Sequence, residues 1–130
     1  MKIVFYPSDI YPEAKNYVEN ELSDISRDYP QYVQLFKDAT KKLERDPGRE
    51  QFETYCETEH ISNLGDELWE FRFPKQSKRA VLRIYFIFSS IEKDKIVLLD
   101  CEVKTGRQSK TGADRKRLIQ YRKWEKGVNS

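Results

Sequence analysis

The sequence is short of cysteine, histidine and long apolar runs, and each shortage excludes a class of protein. Two cysteines, Cys56 and Cys101, are too few for a disulfide scaffold and are typical of a reducing compartment, which predicts a cytoplasmic protein. One histidine, His60, and two distant cysteines do not make a metal site. No apolar run approaches the ~18 residues of a membrane span, and we expect neither a signal peptide nor a membrane partner.

The same shortages leave few options for a cofactor or a nucleophile. Gly106 and Gly112 fit none of the glycine-rich phosphate-loop motifs. A serine-histidine-aspartate triad would need His60, which no surrounding pattern supports. Cys56 lies near His60 and could form a nucleophile pair with it, but structural roles for the two cysteines are the better interpretation. We therefore expect no metal and no small-molecule cofactor.

Charged and aromatic side chains are abundant. Charged residues make up 35% of the 130 residues, hydrophobic residues 38% and aromatic residues 13%. This apolar fraction is sufficient for a core and argues against disorder. The length fits one domain over residues 1–130.

The net charge of +2 conceals two halves of opposite sign. Residues 1–70 contain 8 Lys/Arg and 16 Asp/Glu, a net charge of −8, whereas residues 71–130 contain 16 and 6, a net charge of +10. Nine of these cations fall within residues 104–126, together with two acids. Such an asymmetry points to a polyanionic partner, and the alternative is that both halves are merely solvated surfaces.

The first half of the chain predicts one strand and two helices. Residues 2–6 predict a short strand that ends at Pro7. Apolar residues then recur every three or four positions from 14 to 29 and again from 32 to 43, with Pro30 between the runs. This spacing predicts a helical hairpin or one kinked helix. Residues 49–66 mix isolated apolar anchors with acids and receive no assignment.

The second half of the chain predicts three strands and a helix. The apolar period changes to two at Trp69, which predicts strands at 68–73, 79–88 and 96–103 before a helix that starts near Thr111. The predicted fold is α+β: the N-terminal strand and helical hairpin pack on a small antiparallel sheet, and a C-terminal helix follows. Strict alternation in the last strand groups its residues as Val97, Leu99, Cys101 and Val103 on one face and Ile96, Leu98, Asp100 and Glu102 on the other.

One face of the predicted sheet is wholly apolar and the other is half polar. The half-polar face carries Arg72, Arg79, Arg83, Tyr85, Asp100 and Glu102. The loop at residues 104–110 leaves this face and adds Lys104, Arg107 and Lys110. A guanidinium donates two hydrogen bonds to one phosphate, and a tyrosine ring offers a stacking surface, so the pattern favours a phosphate-bearing partner. The alternative is that Arg72 and Arg83 pair with acids across the strands. Those acids are Glu70, Asp100 and Glu102.

Short motifs along the second half occur in a familiar order. They are Leu68-Trp69-Glu70-Phe71-Arg72, Arg83-Ile84-Tyr85-Phe86, Ile96-Val97-Leu98-Leu99 and, after Lys104, Ser109-Lys110-Thr111. In sequence and spacing they resemble the RelE/HigB superfamily, the toxins of bacterial toxin–antitoxin modules, and most of all its phage-associated HigB-like branch. The motifs lie within residues 61–126, and the order of the predicted elements is similar over the whole chain.

This resemblance implies a RelE-like α+β fold and, for many members, ribosome-dependent cleavage of mRNA without a metal. The 2′-hydroxyl of the RNA attacks the adjacent phosphate, so the enzyme must orient that phosphate, neutralise its charge and handle two protons. Carried over by position, the catalytic residues are Arg83, Lys104, Arg107 and Lys110, and the RNA-binding residues are Arg72, Arg79, Tyr85, Arg115 and Tyr121. Because arginine stays protonated, a lysine or Glu102 is the better acid–base candidate.

The resemblance also implies partners and leaves alternatives open. A toxin implies a cognate antitoxin protein that covers the basic site, with the ribosome and its mRNA as the target. The chain departs from the branch at Thr105, which replaces a lysine, and at Gly112, which replaces a proline. Asp100 and Glu102 also stand near positions where histidine and an aromatic residue are more usual. The alternatives are a ParE-like toxin that inhibits DNA gyrase and a non-catalytic phage-borne module of the same fold that binds RNA or protein.

Overall fold

The computed structural model of the chain describes residues 1–7, 17–45, 52–54, 56, 60–73, 80–104 and 111–128. The strands are β1 (Lys2–Phe5), β2 (Ile61–Gly65), β3 (Leu68–Phe73), β4 (Val81–Phe88) and β5 (Lys95–Lys104). The longer helices are α1 (Tyr17–Asp28), α2 (Pro30–Arg45) and α3 (Thr111–Val128), and residues 52–54 and 56 are also helical. The predicted α+β class is confirmed.

The five strands form one sheet in the order β1-β5-β4-β3-β2. Strands β2 to β5 pair antiparallel in succession, as predicted for the three strands β3 to β5, and β2 occupies part of the segment that received no assignment. The N-terminal strand, predicted to pack on this antiparallel sheet, joins it at one edge, where β1 runs parallel to β5. A parallel neighbour needs a long crossover connection, and the segment that contains α1 and α2 provides it.

The helical hairpin covers one face of the sheet. Pro30 begins α2, where its missing N–H costs no hydrogen bond, and Tyr29 separates the two helices, so they are not one kinked helix. The buried residues of α2 lie three or four positions apart and are Val33, Phe36, Ala39 and Leu43. They pack with Val18 and Leu22 of α1 on the aromatic face of β3 and β4, where Phe36 meets Phe71 edge to face at 5.7 Å.

Helix α3 covers the other face of the sheet, but only at one end. Its apolar residues Leu118, Tyr121 and Trp124 pack on the sheet side chains of a second core. The sheet residues of that core are Leu68, Tyr85, Ile87, Val97 and Leu99. The half-polar face predicted from the alternation is therefore divided into an apolar end under α3 and a polar end. Within the described segments, no helix has both the length and the hydrophobicity needed to cross a membrane.

A β-bulge in β5 overturns the predicted alternation of that strand. Tyr85 pairs with Asp100 and Phe86 pairs with Leu98, so Leu99 is an extra residue in β5. After the bulge, Cys101 and Val103 face the hairpin together with Ile96 and Leu98, whereas Val97 and Leu99 pack under α3. The predicted grouping of Val97, Leu99, Cys101 and Val103 is wrong because one inserted residue reverses the faces of all that follow.

Candidate functional site

The polar end of the α3-side face consists of two cross-strand rows, which we call the polar rows. The first row is Arg72 on β3, Arg83 on β4 and Glu102 on β5. The second row is Glu70, Tyr85 and Asp100 on the same three strands. Lys104 ends β5 opposite Val81, next to the first row. The structure thus brings four predicted site residues, Arg72, Arg83, Tyr85 and Lys104, to one end of one sheet face.

Arg83 is buried and its guanidinium is held by the protein itself. Its Nε donates a hydrogen bond to Oε2 of Glu70, and only 8% of Arg83 and 2% of Glu70 are exposed. The guanidinium carbon also lies 5.2 Å from the centre of the Tyr85 ring. A buried charge needs a partner of opposite sign, and Glu70 supplies it. We expected Arg83 to bind a phosphate directly. The structure instead shows the alternative, in which Arg83 pairs with an acid on the neighbouring strand.

Arg72 lies at the edge of this buried pair and reaches solvent. Its Nε is 3.7 Å from Oε1 of Glu70, a contact at the long limit for an ion pair. Its side chain is 38% exposed, in contrast to that of Arg83. Arg72 and Arg83 thus share the single negative charge of Glu70. Of the two guanidinium groups, that of Arg72 is the one that reaches solvent.

The two tyrosines predicted to bind RNA are both fully buried. Tyr85 lies under α3 and its hydroxyl donates to Oε1 of Glu102 at 3.0 Å. The Tyr121 ring packs against the rings of Trp124 and Tyr6, with distances of 5.3 Å and 6.4 Å between ring centres. Neither ring has a face open to a base, so the predicted stacking role is wrong for both. The physical reason is that α3 uses Tyr121 to cover the sheet.

Glu102 and Lys104 are half-buried, as is Arg72. Glu102 lies opposite Arg83 in the register and accepts the hydrogen bond from Tyr85. A carboxylate held in one orientation can accept a proton, and a lysine ammonium beside it can neutralise or protonate an oxyanion. With Arg72, the two residues form a group of one acceptor and two cations at the rim of the polar rows.

The arginines of α3 bind the sheet rather than project from it. Arg115, predicted to bind RNA, contacts Asp66 at 3.1 Å and donates to the Leu64 and Gly65 carbonyls. Arg117 contacts Asp100 at 2.7 Å and donates to the Leu99 carbonyl at 2.9 Å, beside the bulge. The Asp100 carboxylate is thereby neutralised within the protein. Arg115 therefore holds the turn between β2 and β3, and its predicted RNA contact would compete with that role.

A buried carboxylate of α3 was missed at the sequence level. Glu125 is 1% exposed. It accepts hydrogen bonds from Arg122, from the hydroxyls of Ser89 and Ser90, and from the backbone N–H of Ser90. Burial by itself raises the pKa of Glu125, but the hydrogen bonds, that from Arg122 foremost, outweigh it and lower the pKa below its ordinary value of 4.5. The available signal was its position four residues after Tyr121, on the apolar stripe of α3.

Three predicted site residues, Arg79, Arg107 and Lys110, lie outside the described residues. Cys56, the suggested nucleophile, packs against the hairpin-side core, and the His60 ring meets Phe73 of the same core edge to face, with ring centres 5.5 Å apart. Comparison of the chain with protein-family models, with curated proteins and with solved structures gave no match.

Proposed function

We propose that the protein is the toxin of a RelE/HigB-like type II toxin–antitoxin module that cleaves mRNA on the ribosome, in the cytoplasm, without a metal. The observation that supports this proposal is the group formed by Glu102, Arg72 and Lys104. It combines a carboxylate that accepts a hydrogen bond from Tyr85 with two cations at the same end of the sheet face, where the Arg72 side chain is 38% exposed. Metal-independent RNA cleavage requires one proton acceptor and positive charge at the phosphate, and this group contains both.

The proposed reaction is an intramolecular transesterification. Glu102 takes the proton of the RNA 2′-hydroxyl, and the 2′-oxygen forms a bond to the adjacent phosphorus. The bond from phosphorus to the 5′-oxygen breaks, and Lys104 gives a proton to that leaving oxygen. The products are a 2′,3′-cyclic phosphate and a free 5′-hydroxyl. Arg72 and Lys104 stabilise the negative charge that develops on the phosphate oxygens in the transition state.

The buried residues of the polar rows serve as a support for Glu102 in this proposal. Glu70 fixes Arg83, Arg83 lies against the Tyr85 ring, and Tyr85 holds the Glu102 carboxylate. A catalytic group held by packed and hydrogen-bonded neighbours keeps its geometry better than one on a mobile loop. Arg83 is then a positioning residue, because it acts through Tyr85 and Glu102 and does not touch the phosphate.

The proposal is tested in a translation reaction with purified ribosomes and the purified protein. We expect mRNA cleavage by the wild type and a decrease of about 10²- to 10⁴-fold in the cleavage rate for Glu102→Gln, the range typical of a lost general base. Lys104→Ala is also expected to slow cleavage. Lys42→Ala is the matched control, because Lys42 is an exposed lysine of α2 on the opposite face of the sheet. Intact mRNA with the wild type would exclude the proposed activity.

A second candidate is a non-catalytic RNA-binding module, and the burial of Arg83, Tyr85 and Tyr121 favours it. Because these three side chains are buried, they are not available to contact RNA. The positive charge of residues 71–130 can still attract RNA without a complete set of catalytic groups. Its signature is RNA affinity that falls steeply with salt, in the absence of any cleavage product. The same ribosome reaction separates the two candidates, because RNA binding without cleavage supports only the second.

The proposed module requires a cognate antitoxin. The expected partner is a small protein that covers the basic part of the toxin with an acidic or helical segment. Co-expression of the chain with the product of an adjacent small open reading frame, followed by size-exclusion chromatography, tests this. A single peak that contains both chains, and relief of growth arrest, are the expected results.

A further inference from the structure

Helix α3 separates its two kinds of cation between its two sides. Its arginines face the sheet, and each contacts a carboxylate. The pairs are Arg115 with Asp66, Arg117 with Asp100, and Arg122 with Glu67 and Glu125. Its lysines, which are Lys116, Lys123 and Lys126, are exposed. The arginines form ion pairs within the protein, whereas the lysines are exposed to solvent.

Helical spacing places these lysines on one face. At 100° per residue, Lys116 and Lys123 lie almost in line, and Lys126 lies on the next ridge. The ten residue steps from Lys116 to Lys126 span about 15 Å along the helix axis at about 1.5 Å per step. One strand of a nucleic-acid duplex carries about four phosphates over that length. We call the face formed by Lys116, Lys123 and Lys126 the lysine face.

Among the described side chains of α3, no carboxylate lies on the lysine face, whereas acids are exposed among the lysines of α2. Among the side chains of α3 that the structure describes, the one carboxylate is Glu125, and it is buried on the sheet side. Helix α2 also exposes three lysines, Lys37, Lys41 and Lys42, but Asp38 and Glu44 are exposed among them. The two helices thus carry equal numbers of exposed lysines in different electrostatic surroundings.

We propose that the lysine face is a docking surface for the phosphate backbone of double-stranded RNA, distinct from the group around Glu102. The choice of RNA rests on the proposed function. The charge complementarity of three exposed lysines with a phosphate row is the physical basis, and no base-specific contact is implied. A membrane surface is the poorer fit, because the apolar residues of α3 are buried against the sheet and Ile119 is the large apolar residue that it exposes.

The test measures binding to a fluorescent duplex of 2′-O-methyl RNA, which lacks the attacking hydroxyl, by anisotropy at several salt concentrations. Each phosphate contact contributes about 0.7 to 0.9 to the slope of log affinity against log salt concentration. The triple variant Lys116→Ala, Lys123→Ala, Lys126→Ala is expected to reduce that slope by about two to three. The matched control Lys37→Ala, Lys41→Ala, Lys42→Ala removes the same charge and is expected to leave the slope nearly unchanged. Circular dichroism checks that both variants are folded.

The possible outcomes each decide the proposal. Equal loss of slope in the two triple variants would show that only bulk charge matters and would overturn it, as would an unchanged slope in the α3 variant. Binding of the wild type to vesicles with anionic headgroups, without binding to the duplex, would also overturn it. The duplex cannot be cleaved, so its binding is measured independently of the proposed cleavage activity. If the protein binds the duplex through α3 but does not cut mRNA on ribosomes, the docking surface is supported and the cleavage activity is excluded.

Discussion

Arg83 of β4 donates a hydrogen bond to Glu70 of β3, and both residues are almost completely buried in the sheet. The two are diagonal neighbours, because Arg83 lies opposite Arg72 and Glu70 lies opposite Tyr85. A residue that the motif presented as a phosphate ligand is therefore part of the structural framework. Its contribution to stability is large only while its partner is present, since burial removes the solvation of both charges.

We first expect the two members of this pair to be strongly coupled. Removal of one partner by Arg83→Met or Glu70→Leu is expected to lower the free energy of unfolding by about 3–5 kcal/mol, because a charge then remains buried without its partner. The double variant Glu70→Leu, Arg83→Met replaces both charges by apolar groups and is expected to be close to the wild type or more stable. Urea denaturation of the three variants measures the coupling.

Arg72→Ala is the control for that cycle. Arg72 contacts the same carboxylate at 3.7 Å but is partly exposed, so its loss is expected to cost at most about 1 kcal/mol. A cost for Arg72→Ala equal to that for Arg83→Met, or a double variant as unstable as the single ones, would contradict the assignment of Arg83 to the framework.

Tyr85→Phe tests the support of Glu102 separately from the fold. The substitution removes the hydroxyl that donates to Glu102 and keeps the buried ring, so we expect a loss of about 1 kcal/mol in unfolding free energy. In the ribosome reaction, Tyr85→Phe is expected to lower the maximal cleavage rate more than the affinity for RNA, because Glu102 loses its orientation. A change in affinity alone would show that Tyr85 does not act through Glu102.

The Glu125 carboxylate makes stability dependent on acid pH. Its folded-state pKa is lowered, so its contribution is complete above its ordinary pKa of 4.5 and is lost as the pH falls through the lowered folded value. At pH 7, Glu125→Gln is expected to lower the unfolding free energy by about 1.5–3 kcal/mol, the range for hydrogen bonds to a charged group.

The difference in unfolding free energy between the wild type and Glu125→Gln should therefore become smaller as the pH is lowered below about 4.5. Denaturation curves at pH 7, 5, 4 and 3 measure it. Glu44→Gln, at an exposed position on α2, is the control and is expected to change stability by less than about 0.5 kcal/mol at pH 7. A difference that stays constant over this range would show that the Glu125 charge contributes nothing.

The turn between β2 and β3 predicts an unusual order of stability at one position. Gly65 pairs with Leu68, so Asp66 and Glu67 form a two-residue hairpin loop, and their φ angles of 51° and 70° are those of a type I′ turn. A residue with a Cβ is strained in this region by roughly 1–2 kcal/mol, whereas glycine is not. Arg115 and Arg122 contact the two carboxylates of the loop and hold it.

We expect Glu67→Gly to be more stable than Glu67→Ala by about 1 kcal/mol, because both lose the contact with Arg122 and only glycine relieves the strain. Thermal unfolding of the two variants measures this difference. At an ordinary helix or strand position the order is the reverse. A more stable alanine variant would show that the turn does not hold Glu67 at positive φ in solution.

The elements with a strong local pattern were predictable. The periods of α1 and α2 come from apolar side chains on one buried face, and β3 and β4 are rich in aromatic and β-branched residues, so both patterns are visible without the fold. The position of Arg72, Arg83 and Tyr85 on one sheet face followed from the same alternation. Strand β2 was not predictable, because its short alternation, Ile61 to Gly65, is held mainly by its pairing with β3.

The site was less predictable because contacts between distant residues decide it. The bulge at Leu99 has no signal in the alternation, and it is stabilised by Arg117 from a helix that follows β5. The burial of Tyr85 and Tyr121 likewise depends on where α3 packs. The motif around Arg83 identified a residue type and a strand, but not whether its guanidinium would face a ligand or Glu70.

The sequence alone determined the α+β class, the main helices and strands, the concentration of positive charge in residues 71–130 and the face on which the polar residues lie. These properties depend on local periodicity and composition, which act over a few residues. Only the tertiary structure decided which charges are available. Because a buried charge must find a partner, the fold pairs Arg83 with the buried Glu70 and Arg117 with the buried Asp100, and it leaves the lysines of α3 exposed.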